Sequence, residues 1–84
     1  MAEQIGTLLW EWRTAAGWSL RQLALRAGVS KSALSRWEAG ERQPRIPELE
    51  ATLTALEATS AQRALALTCI AAPRALRHLN TPSP

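Results

Sequence analysis

The segment from Ser19 to Gly40, SLRQLALRAGVSKSALSRWEAG, constrains this chain more than any other. It reads as two short helices joined by a tight turn at Gly28. Ser19 is a good N-cap, and Gln22 three places later completes a capping box. The helix they open should run through Leu20, Leu23 and Ala24 and stop near Ala27. Ser30 caps the next helix, which ends at Gly40. At ~100° per residue, Ala33, Leu34 and Trp37 cluster on one side of it, and Lys31, Ser32, Ser35 and Arg36 fall on the other. A rigid helix with such a cationic, hydrogen-bonding edge suits the major groove of DNA, whose base edges offer donors and acceptors.

Elsewhere glycine and proline punctuate the chain at helical intervals, with no sustained two-residue alternation, so the fold is expected to be all-α. A first helix is predicted from about Glu3 to Ala16, with Ile5, Leu8, Leu9, Trp12 and Ala16 as its apolar stripe. Gly17 ends it. After the polar loop Glu41–Arg45, Pro47 suits the first turn of a fourth helix, whose core stripe is Ile46, Leu49, Leu53 and Leu56. Thr59 or Ser60 caps a fifth helix that should reach about Ala72 and stop at Pro73. Its centre, Ala64–Ala72, has hardly any polar side, so it should be buried on more than one face. In so small a domain that implies a neighbouring subunit, with Trp10, Leu67 and Ile70 as the expected dimer contact. For Trp10 a partial burial against the fifth helix is an equal alternative. Residues 74–80 should add a last helical turn, and Thr81–Pro84 should fray. The expected organisation is a core over residues 1–58, a fifth helix over 59–73 and a tail over 74–84.

Eighty-four residues fit one domain. The net charge is only +3, but its distribution is uneven. Residues 10–45 carry seven basic side chains (Arg13, Arg21, Arg26, Lys31, Arg36, Arg42, Arg45) against three acidic ones. The remainder carries three against four. Positive charge therefore gathers around the helical pair, as a phosphate-facing surface requires, although a solvated basic face would look the same. Cys69 is the single cysteine, which excludes an internal disulfide and fits a reducing, cytoplasmic setting. No apolar run approaches the ~18–20 residues that cross a bilayer. The start Met1-Ala2-Glu3-Gln4 lacks the pattern of a signal peptide. His78 stands alone in the tail. No phosphate-cradling glycine loop, paired histidine or nucleophile with a nearby base occurs, so neither an enzyme nor a cofactor, metal or small-molecule substrate is expected.

Ala24 inside the first short helix, Gly28 in the turn, and Leu34 and Trp37 afterwards define a helix-turn-helix pattern. Ala24 lets the two helices approach, and Leu23, Leu34 and Trp37 fill the wedge between them. The run from Ile5 to Leu56 resembles the Cro/C1-type (XRE) helix-turn-helix family of bacterial and phage repressors. The matching elements are Arg13 before Gly17-Trp18-Ser19, Leu23-Ala24 with Gly28-Val29-Ser30, and Leu34-Ser35-Arg36-Trp37-Glu38-Ala39-Gly40 followed by Pro44. The resemblance implies a compact five-helix, lambda-repressor-like fold. It implies that Lys31, Ser32 and Arg36 touch base edges, with Ser35 beside them reaching base or phosphate. Arg36 has the planar fork that matches guanine O6 and N7. Ser19, Arg21, Gln22, Arg42 and Gln43 are implied to meet phosphates, helped by the N-terminus of the second helix. Many relatives begin that helix with a glutamine that clamps a phosphate; this chain departs from them with Leu20, and the neighbouring Arg21 could replace it. Arg13 and Glu38 correspond to a structural salt bridge of the family. Trp12 and Trp37 are expected in the core, and Trp18 over the junction of the first two helices.

The expected function is that of a sequence-specific DNA-binding transcriptional regulator, repressor-like, acting on double-stranded DNA as a homodimer. A different class remains open: a protein-interaction module of the same fold, antitoxin-like or an assembly adaptor, bound to a protein partner and without base readout. The apolar fifth helix and Leu20 favour it, and the edge of Lys31, Ser32, Ser35 and Arg36 favours the first.

Overall fold

The computed structural model describes residues 2–80, with side-chain environments for residues 5–70. Its helices are α1 (Ala2–Ala15), α2 (Leu20–Ala27), α3 (Lys31–Glu38), α4 (Ile46–Ala55) and α5 (Ser60–Asn80). No strand occurs among the described residues. Side chains just ahead of the helices and in their first turns fix where they start. Ser19 Oγ accepts from the Gln22 N–H at 3.1 Å, and Gln22 Oε1 accepts from the Ser19 N–H at 2.9 Å. Thr59 and Gln62 repeat this reciprocal box ahead of α5, at 3.0 and 2.9 Å. Ser30 Oγ accepts from the Ala33 N–H at 3.0 Å, and Glu48 Oε1 accepts from the Arg45 N–H at 3.0 Å. Each bond satisfies a donor that a helix start would leave unpaired.

One core runs through all five helices: Ile5 and Leu9, Leu23 and Ala24, Leu34 and Trp37, Leu49 and Leu53, Ala66 and Cys69. Within it α3 packs against both α1 and α2, α2 also meets α4, and α5 closes over α1 and α4. Trp12 and Trp18 pack against its margin. Thr52 is buried among these apolar groups, its hydroxyl donating to the Glu48 carbonyl at 2.9 Å. Gly6, also buried, brings α1 against the end of α3: a Cβ there would lie 2.3 Å from the Trp37 carbonyl oxygen.

Three expectations from the sequence need correction. Ala16 lies outside α1 and is exposed, because the chain reverses at Gly17 and carries Trp18, rather than Ala16, onto the core. The Trp18 N–H donates to the Arg13 carbonyl at 3.1 Å to hold that reversal. Ile46 is 48% exposed, standing at the first residue of α4, a turn ahead of the buried Leu49 and Leu53. Pro73 does not stop α5, which continues to Asn80. A proline inside a helix removes one hydrogen bond and crowds the carbonyl four residues back, which can kink a helix without ending it. Within this single chain the described part of α5 buries Ala66 and Cys69, packs Leu67 and Ile70 at the edge and leaves Leu65 50% exposed. The expectations for Thr81–Pro84 and for the His78 side chain fall outside the described residues.

Candidate nucleic-acid interface

The geometry of α3 begins with what holds its inner side. Leu34 and Trp37 are almost wholly buried, which fixes the helix in rotation, and the edge carrying Lys31, Ser32, Ser35 and Arg36 is exposed. Spacings of one, four and five residues put these four side chains on one face. They line a single shallow depression, whose remaining lining residue is Glu41.

A clamp fixes the far end of α3. Arg13 Nε donates to Glu38 Oε2 at 2.7 Å and Nη2 donates to Oε1 at 3.0 Å, a bidentate pair. Nη1 of the same guanidinium donates to the Trp18 carbonyl at 2.8 Å. One side chain therefore ties together the end of α1, the turn into α2 and the end of α3. The pair is nearly enclosed, with side-chain exposures of 11% and 8%. Geometry of this kind adds orientation as well as energy.

The flanks differ in how free their polar groups are. Ser19 and Gln22 use their side-chain oxygens as capping acceptors, which leaves the serine O–H and the glutamine NH₂ as donors. A phosphate accepts, so those are the groups it needs. Arg21, Arg42 and Gln43 are exposed. Arg26, on the outer side of α2, lies over the Trp18 ring, 4.5 Å from its centroid, and so braces the α1–α2 junction. Arg63 donates to Thr54 Oγ1 at 2.8 Å, well outside the depression in sequence. Of the residues assigned to a subunit contact, Trp10 is 51% exposed, whereas Leu67 and Ile70 pack partly on the chain's own core.

Sequence reasoning missed Glu41, placing it simply in a polar loop. The signal was present in the Gly40 that precedes it. Gly40 adopts φ of 78°, its N–H donates to the Trp37 carbonyl at 3.1 Å, and the Glu41 N–H donates to the Arg36 carbonyl at 2.9 Å. This pair of bonds turns the residue after the glycine back beside the last turn of the helix.

The family model described as "Helix-turn-helix domain" matches residues 4–66. The chain belongs to this helix-turn-helix family, in its Cro/C1 (XRE) type. Among solved structures it is similar to the restriction-modification controller protein C.AhdI from Aeromonas hydrophila, at 29% identity and a TM-score of 0.70. That match covers 74% of this chain and 94% of the other. It is also similar in fold to a point mutant of the restriction-modification controller protein C.Esp1396I, at 18% identity and a TM-score of 0.71, over 82% of this chain and 89% of that one. No curated protein matches. Among the described residues, no helix is long and apolar enough to cross a membrane.

Proposed function

We propose that this chain is a sequence-specific DNA-binding transcriptional regulator, repressor-like, that reads the major groove with α3. One observation carries the reading: α3 is locked in rotation by buried Leu34 and Trp37 and clamped through Glu38, while its hydrogen-bonding edge stays open. Membership of the helix-turn-helix family supports it, and the 29% likeness to a restriction-modification controller supports a regulatory role. Arg36 makes a bidentate contact to guanine, Lys31 and Ser32 touch neighbouring base edges, and Ser35 reaches base or phosphate. Ser19, Arg21, Gln22, Arg42 and Gln43 hold the backbone on either side. The chain acts by binding, in the cytoplasm where its DNA lies, and not by catalysis. Because one such unit spans few base pairs, it works as a homodimer on a two-fold site, through Trp10 and the exposed side of α5.

Selection of bound duplexes from a random pool tests the reading. Arg36→Ala is expected to weaken the preferred site and relax base choice at one position. Arg42→Ala is expected to weaken all sequences about equally and to lower the salt dependence of binding. An unchanged base preference in Arg36→Ala removes α3 as the reader.

A second reading draws on Leu25, which is 75% exposed on α2, together with the exposed Trp10. Apolar groups left in water suit a module that binds another protein without base readout, antitoxin-like or an assembly adaptor. Absence of any mobility shift on pooled genomic fragments at low salt favours this second reading.

A further inference from the structure

Glu41 is an acid placed among the groups that face DNA. It shares one depression with Lys31, Ser32, Ser35 and Arg36, on the outward edge of α3. Its position is not that of a loose loop residue. The Glu41 N–H bond to the Arg36 carbonyl at 2.9 Å, with Gly40 turned to φ of 78°, anchors its backbone to the last turn of the helix. Its carboxylate has no ion-pair or hydrogen-bond partner among the described residues. Glu38, three residues earlier, is held by Arg13 at 2.7 Å. The two acids that bracket Gly40 thus have different surroundings: one is held in a structural ion pair, the other is exposed and makes none.

Resting on the DNA reading above, we propose that Glu41 is a specificity-determining residue that accepts a hydrogen bond from the exocyclic amino group of a cytosine. A carboxylate near the phosphates of a duplex is repelled by them, so it weakens binding to every sequence. The chemistry of the other lining groups shows what offsets that cost. Lys31 and Arg36 only donate, and they suit the acceptor atoms of guanine. The serines can do either. An ionised carboxylate only accepts, and the major groove offers it the amino groups of cytosine and adenine. Adenine sets its N7 acceptor beside that amino group, where it repels the second carboxylate oxygen, so cytosine is the better partner. Wrong bases then meet a buried charge with no donor, and discrimination comes partly from rejecting them.

The test is random-pool selection by the full chain, run in parallel on the native sequence, Glu41→Ala, Glu41→Gln and Arg36→Ala. The native chain is expected to prefer cytosine about tenfold at a position separate from the one lost in Arg36→Ala. Glu41→Ala should lose that preference alone and bind unselected duplex a few-fold more tightly, because one repelling charge is gone. Glu41→Gln should bind unselected duplex more tightly too, while shifting the preferred base toward adenine, whose N6 and N7 match an amide. Identical base preferences in all three Glu41 forms overturn the inference, even where general affinity rises. A change confined to the Arg36 position also overturns it, since Glu41 would then act only through that arginine. A native chain that selects no sequence removes the DNA reading itself, and this inference with it. That result is distinct from losing the Glu41 effect alone.

Discussion

Gly6 lies in the second turn of α1, and giving it a methyl group sets two opposed effects against each other. In a helix interior alanine is favoured over glycine by about 1 kcal/mol, so an exposed Gly6→Ala would stabilise the protein. Gly6 is buried, and the added carbon would stand 2.3 Å from the Trp37 carbonyl oxygen and 2.9 Å from that of Glu38. Ordinary contact begins at 3.4 Å, so α1 and the end of α3 must part by about 1 Å. Both obstacles are backbone atoms of the last turn of α3, which cannot swing aside as a side chain does. Overpacking of a close-packed interior costs about 1–3 kcal/mol, and backbone obstacles place this case at the upper end. The net expectation is a loss of about 2 kcal/mol. For a domain of this size that lowers Tm by roughly 8–16 °C, readable by circular dichroism. The displaced turn also carries Glu38 and Arg36, so affinity for a selected duplex should fall even at temperatures where the variant is folded. A Tm equal to or above that of the native chain would refute the steric reasoning, because it means that α3 gives way freely.

The clamp gives a second expectation. Arg13→Ala strands the nearly enclosed Glu38 carboxylate and frees the Trp18 carbonyl, and should cost about 3 kcal/mol in chemical denaturation. A loss under 1 kcal/mol would class the pair with ordinary surface bridges. Glu57 follows α4 with φ of 57°, a left-handed conformation that glycine adopts without strain. Glu57→Gly should therefore stabilise the fold by about 0.5–1 kcal/mol, and a lower denaturation midpoint contradicts this. For the proposed homodimer, Leu65→Asp is the clean perturbation, since Leu65 is half exposed whereas Leu67 and Ile70 also serve the core. It is expected to give folded monomers in sedimentation velocity; a variant that stays dimeric places the subunit contact elsewhere.

What could be read ahead of the structure followed the range of the interactions involved. Ser19 with Gln22, and Ser30 before α3, act over three residues, so their boundaries are written locally in the chain. The two sides of α3 were legible for the same reason: helical period alone separates Leu34 and Trp37 from Lys31, Ser32, Ser35 and Arg36. Gly6 was not legible. In isolation a mid-helix glycine reads as a weakness, and only the carbonyls of Trp37 and Glu38, some thirty residues away, give it a purpose. Ile46 fits a stripe by spacing yet stands in water, because periodicity cannot show where the packing partner ends. Pro73 is the converse case: a local breaker sits inside α5, and the helix continues past it. Glu41 lay between: its place beside Arg36 follows from the Gly40 turn, a local rule, but its significance depends on which neighbours share the depression.

The most direct measurement pairs a change in the protein with a change in one atom of the DNA. Once a preferred duplex is selected, its guanines are replaced singly by 7-deazaguanine, which lacks the N7 acceptor while keeping the Watson–Crick pair. At the guanine opposite Arg36 the replacement should weaken the native chain about tenfold and leave Arg36→Ala almost unaffected. An equal penalty in both proteins at every guanine would contradict base reading by α3.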